Sequence, residues 1–235
     1  MSADGVMKNK ISVAIDGPAG AGKSSVAKKV ASDMGYIYID TGAMYRSVAV
    51  YAIENGVDTA NETEKVIDLL DSINIGIKYE NGMQCMFLNG RDVTSRIREN
   101  DASMGASAVA VIPQVRERLV RMQQEMATDG GVVMDGRDIT TTVLPNAELK
   151  IYLTASAHER AMRRYKEYLE KGIECDFEKL KEDVIKRDEN DMNRAVSPLR
   201  KAEDAILLDT TDKSFDEVVS VLKGMIEETV KNTRK

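Results

Sequence analysis

Apolar positions along the chain fall into two kinds of run. Short, β-rich runs at Ile11 to Ile15, Tyr36 to Ile39, Val132 to Asp135, Leu149 to Leu153 and Ile206 to Leu208 predict strands. Longer stretches, with apolar residues recurring every three or four positions, predict helices over 23–34, 43–55, 114–126, 157–170, 177–191 and 215–230. Strands alternating with helices build a mostly parallel sheet covered by helices on both faces. One stretch breaks this rhythm. Ile73, Ile75, Ile77 and Tyr79 alternate with other residues, then come Asn81-Gly82, Phe87-Leu88 and Asn89-Gly90, which predicts antiparallel strands joined by tight turns. An insertion over about residues 68–106 is therefore expected outside the parallel core, as a mobile or substrate-contacting subdomain.

Composition sharpens this picture. The chain has 235 residues, 43% of them hydrophobic, enough to bury a substantial core as one compact unit. A formal net charge of -6 argues against a chain that coats nucleic acid or an anionic membrane through its overall charge, so any anion site must be local. Cys85 and Cys175 lie far apart and form no metal-ligand spacing, so neither a disulfide framework nor a zinc site is expected, and a reduced cytoplasm fits. The leading MSADGVMKNK is polar, and the apolar run after it is too short for a signal-peptide core or a membrane span. The reading is of a soluble cytoplasmic protein with no nucleic-acid or membrane partner.

Residues 17–24 read Gly17-Pro18-Ala19-Gly20-Ala21-Gly22-Lys23-Ser24, a full GxxxxGK[ST] match between a predicted strand and a predicted helix. Glycines let the backbone curl around a phosphate, and the helix N-terminus adds a positive dipole end. Lys23 would reach the β- and γ-phosphates of a nucleotide, and the Ser24 hydroxyl would ligate Mg²⁺. A plain Gly-rich turn explains the glycines but not the Lys-Ser pair. GTPases, ATPases and small-molecule kinases share the motif, so by itself it implies a nucleotide site and nothing finer.

Other segments bear on a second anion. Asp40-Thr41-Gly42-Ala43-Met44-Tyr45-Arg46 follows the second predicted strand, at the sheet edge where open α/β folds bind ligands. Arg46 there either faces a phosphate or is solvated beside a helix cap at Thr41. Asp135-Gly136-Arg137-Asp138 ends another apolar strand; Asp135 could help hold Mg²⁺ directly or through water, and the segment is otherwise a polar turn. Along the helix from Phe177, the stripe Phe177, Leu180, Val184 continues through Arg187, Asp191 and Arg194. A core does not accept two arginines and a carboxylate without compensation, so this end should open onto a cleft holding an anion, or form a surface ion-pair cluster. Arg160, Arg163 and Arg164 share one face of the preceding helix, either as a lid over ATP or as a solvated surface paired with Glu159 and Glu167. The single histidine, His158, reads as a surface residue of that helix. Transfer to a phosphate acceptor needs several fixed cations and no dedicated base, because the acceptor is already largely ionised near neutral pH.

Taken together, GPAGAGKSS, DTGAMYR, DGRD, RDENDMNR and AVSPL resemble the bacterial cytidylate kinases along nearly the whole chain. The resemblance implies an α/β fold: a P-loop NTPase core with a five-stranded parallel sheet flanked by helices, an inserted monophosphate-binding subdomain with a small antiparallel sheet, and a helical lid. In residue terms it implies a core of 10–40, 107–155 and 195–235, a monophosphate-binding region of 41–106, and a lid with flanking helices at 156–194. It implies ATP and Mg²⁺ as cofactors, CMP and dCMP as acceptors, and a monomer. Gly17 to Ser25 would hold ATP; Thr41, Arg46, Arg137 and Arg187 would serve the monophosphate end, and Asp191 and Arg194 the ribose and phosphate. Ser107, Arg116 and Asp138 would read cytosine, Tyr45 would flank the substrate, and Arg160 and Arg164 would be lid arginines. Ser24-Ser25 and Thr41-Gly42 depart from the family's commoner GT and SG, but both keep a hydroxyl. The competing readings are a P-loop kinase acting on UMP or a small alcohol, and a nucleotide-gated switch without an acceptor.

Overall fold

The computed structural model describes residues 10–80 and 83–233, so the turn expected at Asn81-Gly82 lies outside the described residues. The strands are β1 (Val13–Asp16), β2 (Ile37–Asp40), β3 (Ile75–Glu80), β4 (Met83–Leu88), β5 (Arg91–Asp92), β6 (Val132–Gly136), β7 (Leu149–Thr154) and β8 (Ile206–Asp209). The helices are α1 (Lys23–Met34), α2 (Thr41–Glu54), α3 (Thr63–Leu69), α4 (Asn100–Val109), α5 (Pro113–Met126), α6 (Ala157–Glu170), α7 (Phe177–Asn193) and α8 (Phe215–Thr233). Contacts group residues 10–39 and 127–233 into one compact unit and residues 40–126 into a second. Residues 107–126, expected with the core, group with the second unit.

The sheet of the first unit has five strands in the order β2-β6-β1-β7-β8, with β1 parallel to β6 and β7, and β7 parallel to β8. All four residues of β1 are buried, Asp16 among them, which fits the apolar run Val13-Ala14-Ile15: a central parallel strand is covered on both faces. Val26, Val30 and Ala31 of α1 and Val218, Leu222 and Ile226 of α8 pack with Val13, Ile15, Ile151 and Leu153 in one core cluster. Each fully buried Leu or Ile contributes about 1.5–3 kcal/mol relative to exposure. Helix α1 starts at Gly22 and stops at Gly35, both left-handed, and Tyr36 N–H closes the end on the Ala31 carbonyl at 2.8 Å.

The second unit contains the expected antiparallel sheet, order β3-β4-β5, with Ile75 opposite Leu88 and Ile77 opposite Met86. Helices α2 and α4 approach closely at Gly105, where a Cβ would lie 2.9 Å from that of Ala49. Among the described residues no helix is long and apolar enough to cross a membrane.

Candidate nucleotide-binding site

The phosphate loop leaves β1 at Gly17, and there the chain has room for no other residue. Its φ is +149°, and a Cβ would fall 1.9 Å from the Leu153 carbonyl oxygen on the neighbouring β7. Two arginines one turn apart on α6 hold the loop's carbonyls: Arg160 Nη1 donates to Ala19 O at 3.0 Å and Arg163 Nη1 to Ala21 O at 3.1 Å. The loop's N–H groups are then what it has to offer an anion.

Lys23 is buried at 5% exposure and donates from Nζ to the Pro18 carbonyl at 2.8 Å. Burial, reinforced by the nearby Arg137 and only partly offset by Asp135, Asp16 and Asp191, lowers its pKa to about 7. Ser24 Oγ donates to Asp135 Oδ2 at 2.8 Å, and Tyr38 Oη donates to Asp135 Oδ1 at the same distance. The first loop serine thus meets the acid next to the last residue of β6.

Beyond β6, Arg137 Nε donates to Asp191 Oδ2 of α7 at 2.7 Å, and Arg194 Nη2 lies 3.5 Å from Asp138 Oδ1. Arg187 is half-buried on the same helix. Helix α7 ends at Asn193 and Arg194 is extended, so the helical stripe stops one residue before Arg194, which reaches Asp138 from the following loop. There Arg194 Nε donates to the carbonyl of Ser197, at 2.5 Å. The stripe does turn charged, and it includes a largely buried charge that its spacing does not single out. Asp188, four residues beyond Val184, pairs with Arg160. Arg160 is therefore a buried clamp between the loop and α7. Arg164 is held by Tyr168 Oη at 2.9 Å. His158 is exposed, and its ring meets Phe177 edge-on at 5.2 Å, pinning α6 to α7.

Asp16, the residue before Gly17, is the other omission. It accepts hydrogen bonds from Ile139 N, Thr140 N and Thr140 Oγ1. Burial pushes its carboxyl above the usual range against these bonds. No local pattern announces it, since its partners lie more than a hundred residues away.

In the second unit, Asp40 rather than Thr41 caps α2. Its Oδ1 accepts from Ala43 N and its Oδ2 from Arg46 Nη2, at 2.8 and 2.9 Å. Arg46 is thus half-buried and paired rather than solvated, and a Cβ on Gly42 would crowd both partners. Thr41 is buried. Arg116 on α5 is buried, with its guanidinium 5.9 Å from the Tyr45 ring centre, and Ser107 is exposed on α4.

Among the described residues no three or more His, Cys, Asp and Glu side chains converge on a point that could hold a metal. The pair Ser24 and Asp135 is nevertheless the hard-oxygen donor set that suits Mg²⁺, a cation that keeps most of its shell as water and phosphate oxygens.

The family model described as cytidylate kinase matches residues 13–228. The chain is 52% identical over 223 residues to the cytidylate kinase of Caldicellulosiruptor bescii, covering 95% of this chain and 98% of that protein. It is 53% identical over 215 residues to the cytidylate kinase of Streptococcus gordonii, covering 91% and 95%. Among solved structures, an uncharacterized protein from Eubacterium ventriosum shares the fold with a TM-score of 0.50 at 13% identity, covering 93% of this chain and 99% of that one. A phosphate loop, a serine–aspartate pair at a strand end and a match that runs nearly from end to end agree, and the chain belongs to the cytidylate kinase family.

Proposed function

We infer that this protein is a nucleoside monophosphate kinase that transfers the terminal phosphate of ATP to CMP and dCMP. The observation that carries the reading is the Ser24–Asp135 contact of 2.8 Å beside buried Lys23, in a chain that matches the cytidylate kinases over residues 13–228.

In the first unit, Gly17, Pro18, Ala19, Gly20, Ala21, Gly22, Lys23, Ser24 and Ser25 receive the ATP phosphates. Mg²⁺ bound by Ser24 and Asp135 would neutralise charge that develops between the β- and γ-phosphates. Arg137 and Arg187 stabilise the phosphoryl group in transfer, and Asp191 and Arg194 orient the acceptor's ribose and phosphate. Arg160 acts through the loop carbonyl it holds, and Arg164 is the lid arginine toward ATP. The acceptor phosphate has its second pKa near 6, so it attacks as a dianion and no side chain needs to remove a proton.

Cytosine is read by groups that match its edge. Asp138 of the first unit accepts from the exocyclic amine; Ser107 and Arg116 of the second unit donate to the ring acceptors, with Tyr45 flanking the substrate and Thr41 and Arg46 serving its phosphate. Uracil presents a carbonyl in place of the amine and would set an acceptor against that carboxylate where cytosine sets a donor.

Phosphorus NMR of protein with ATP and CMP tests this reading. CDP phosphate signals should grow as ATP declines and stop on chelation of Mg²⁺. ATP binding without CDP formation would favour a nucleotide-gated switch.

A further inference from the structure

The segment after β6 contains one unusual turn. Residues Ile139–Val143 form a π-helical turn in which Leu144 N–H closes on the Ile139 carbonyl at 2.7 Å. Such single turns are rare, and their first N–H groups have no partner within the turn. Ile139 and Thr140 are also fully buried, at 1% and 2% exposure, so water cannot satisfy them. Asp16 does so from another strand. Its Oδ1 accepts from Ile139 N at 2.8 Å, and its Oδ2 from Thr140 N at 2.8 Å and Thr140 Oγ1 at 2.6 Å.

The two ends of this bridge matter. Asp16 pairs across the sheet with Gly136 and is bonded to Gly17, the first residue of the phosphate loop. Ile139 follows directly on Arg137 and Asp138, the groups that engage Asp191 and Arg194. Beyond Asp16 and Gly136 the two strands end and the chains part, so the ladder no longer ties one segment to the other. The Asp16 carboxylate spans that gap.

We propose that Asp16 is a positioning residue for phosphoryl transfer: it sets Arg137 and Asp138 against the phosphate loop by capping the π-turn that follows them. The proposal rests on the kinase reading above and adds to it a residue that touches neither nucleotide. Its cap acts on acceptor geometry, while the loop that holds ATP keeps its own clamps at Arg160 and Arg163; its charge also helps sustain that of Lys23, an effect that substitution at Thr140 leaves untouched.

The test compares Asp16→Asn, Thr140→Val and Thr140→Ser with the unaltered full chain. Asparagine keeps one acceptor oxygen and turns an amide against a donor; valine removes one donor without changing shape; serine keeps it. Steady-state kinetics should show kcat/KM for CMP reduced about 10- to 100-fold in Asp16→Asn and less in Thr140→Val, with KM for ATP within about twofold of normal. Thr140→Ser should restore the CMP parameters. Hydrogen exchange at the Ile139 and Thr140 amides should quicken in Asp16→Asn, a readout that needs no turnover. If Asp16→Asn does not fold, as judged by circular dichroism, Thr140→Val against Thr140→Ser decides. Equal losses toward ATP and CMP, unchanged CMP kinetics in folded variants, or unchanged exchange at both amides would overturn the proposal. Failure of the unaltered chain to phosphorylate CMP would instead overturn the kinase reading, and amide exchange would still report whether the cap exists.

Discussion

Arg160 and Asp188 join α6 to α7 through two hydrogen bonds, Nη1 to Oδ1 at 3.0 Å and Nη2 to Oδ2 at 2.5 Å. Both side chains are largely buried, at 6% and 13% exposure, so neither charge has water to fall back on. The same Arg160 holds the Ala19 carbonyl of the phosphate loop, which links the packing of two helices to the shape of a binding loop.

Removing one partner should therefore be costly. Asp188→Ala strands a buried guanidinium, and its urea midpoint should fall by the equivalent of about 3–5 kcal/mol. The double variant Arg160→Met with Asp188→Leu replaces the pair by apolar groups and should regain most of that stability. It does not regain the bond to Ala19, so KM for ATP should stay raised in the double variant. Recovery of both properties together would show that the loop does not depend on Arg160.

Lys23 should make nucleotide binding draw a proton from solution. Its pKa in the free protein is about 7, so at pH 8 it is mostly neutral, and a triphosphate beside it restores the charge. Calorimetric titration with ATP at pH 8, in two buffers of different ionisation enthalpy, should report net uptake approaching one proton, absent in Lys23→Met. The same shift bears on stability. The unfolded chain binds this proton up to about pH 10.4 and the folded one releases it near 7, so this group's contribution grows more favourable as pH rises through that window. Below it, both states hold the proton and the full cost of burying the charge remains.

Gly17→Ala tests the start of the loop. Its Cβ would lie 1.9 Å from a backbone oxygen that cannot rotate away, so the strands must part. A loss of about 3 kcal/mol or more is expected, read as a lowered thermal midpoint together with weakened ATP binding. Gly172→Ala is the control: φ is positive there as well, at +69°, but nothing lies within 4 Å, and the cost should stay at about 1 kcal/mol.

Tyr38 orients Asp135 from the side opposite Ser24. Tyr38→Phe should raise the Mg²⁺ concentration for half-maximal rate about 10-fold and leave the maximal rate nearly intact. Ser24→Ala should depress the maximal rate as well. A normal Mg²⁺ dependence in Tyr38→Phe would show that the hydroxyl does not hold the carboxylate in place.

Much of this architecture is legible in the sequence where local patterns and local chemistry agree. Helix α1 lies between two left-handed glycines, and Ser156 caps α6, so their ends are marked in the residues themselves. Helix α4 escapes because its NDASMGASAV is dominated by small residues, with Gly105 chosen for close packing on α2 rather than for helix propensity. The π-turn at Ile139-Thr140-Thr141-Thr142-Val143 escapes because β-branched residues disfavour helix in isolation, and a carboxylate from a distant strand supplies what they lack. Similarly, the phosphate loop and Asp135 stand out by motif and strand end, whereas the partnerships of Asp16 and Asp188 are long-range choices that spacing does not encode.

The identity of the phosphate acceptor is the centre of this account, and a comparison of kcat/KM with saturating MgATP across CMP, dCMP, UMP, AMP and shikimate tests it most directly. CMP and dCMP should exceed UMP by about 100-fold or more, with AMP and shikimate lower still. A rate for UMP, AMP or shikimate equal to or above that for CMP, or no turnover of any acceptor, would contradict it.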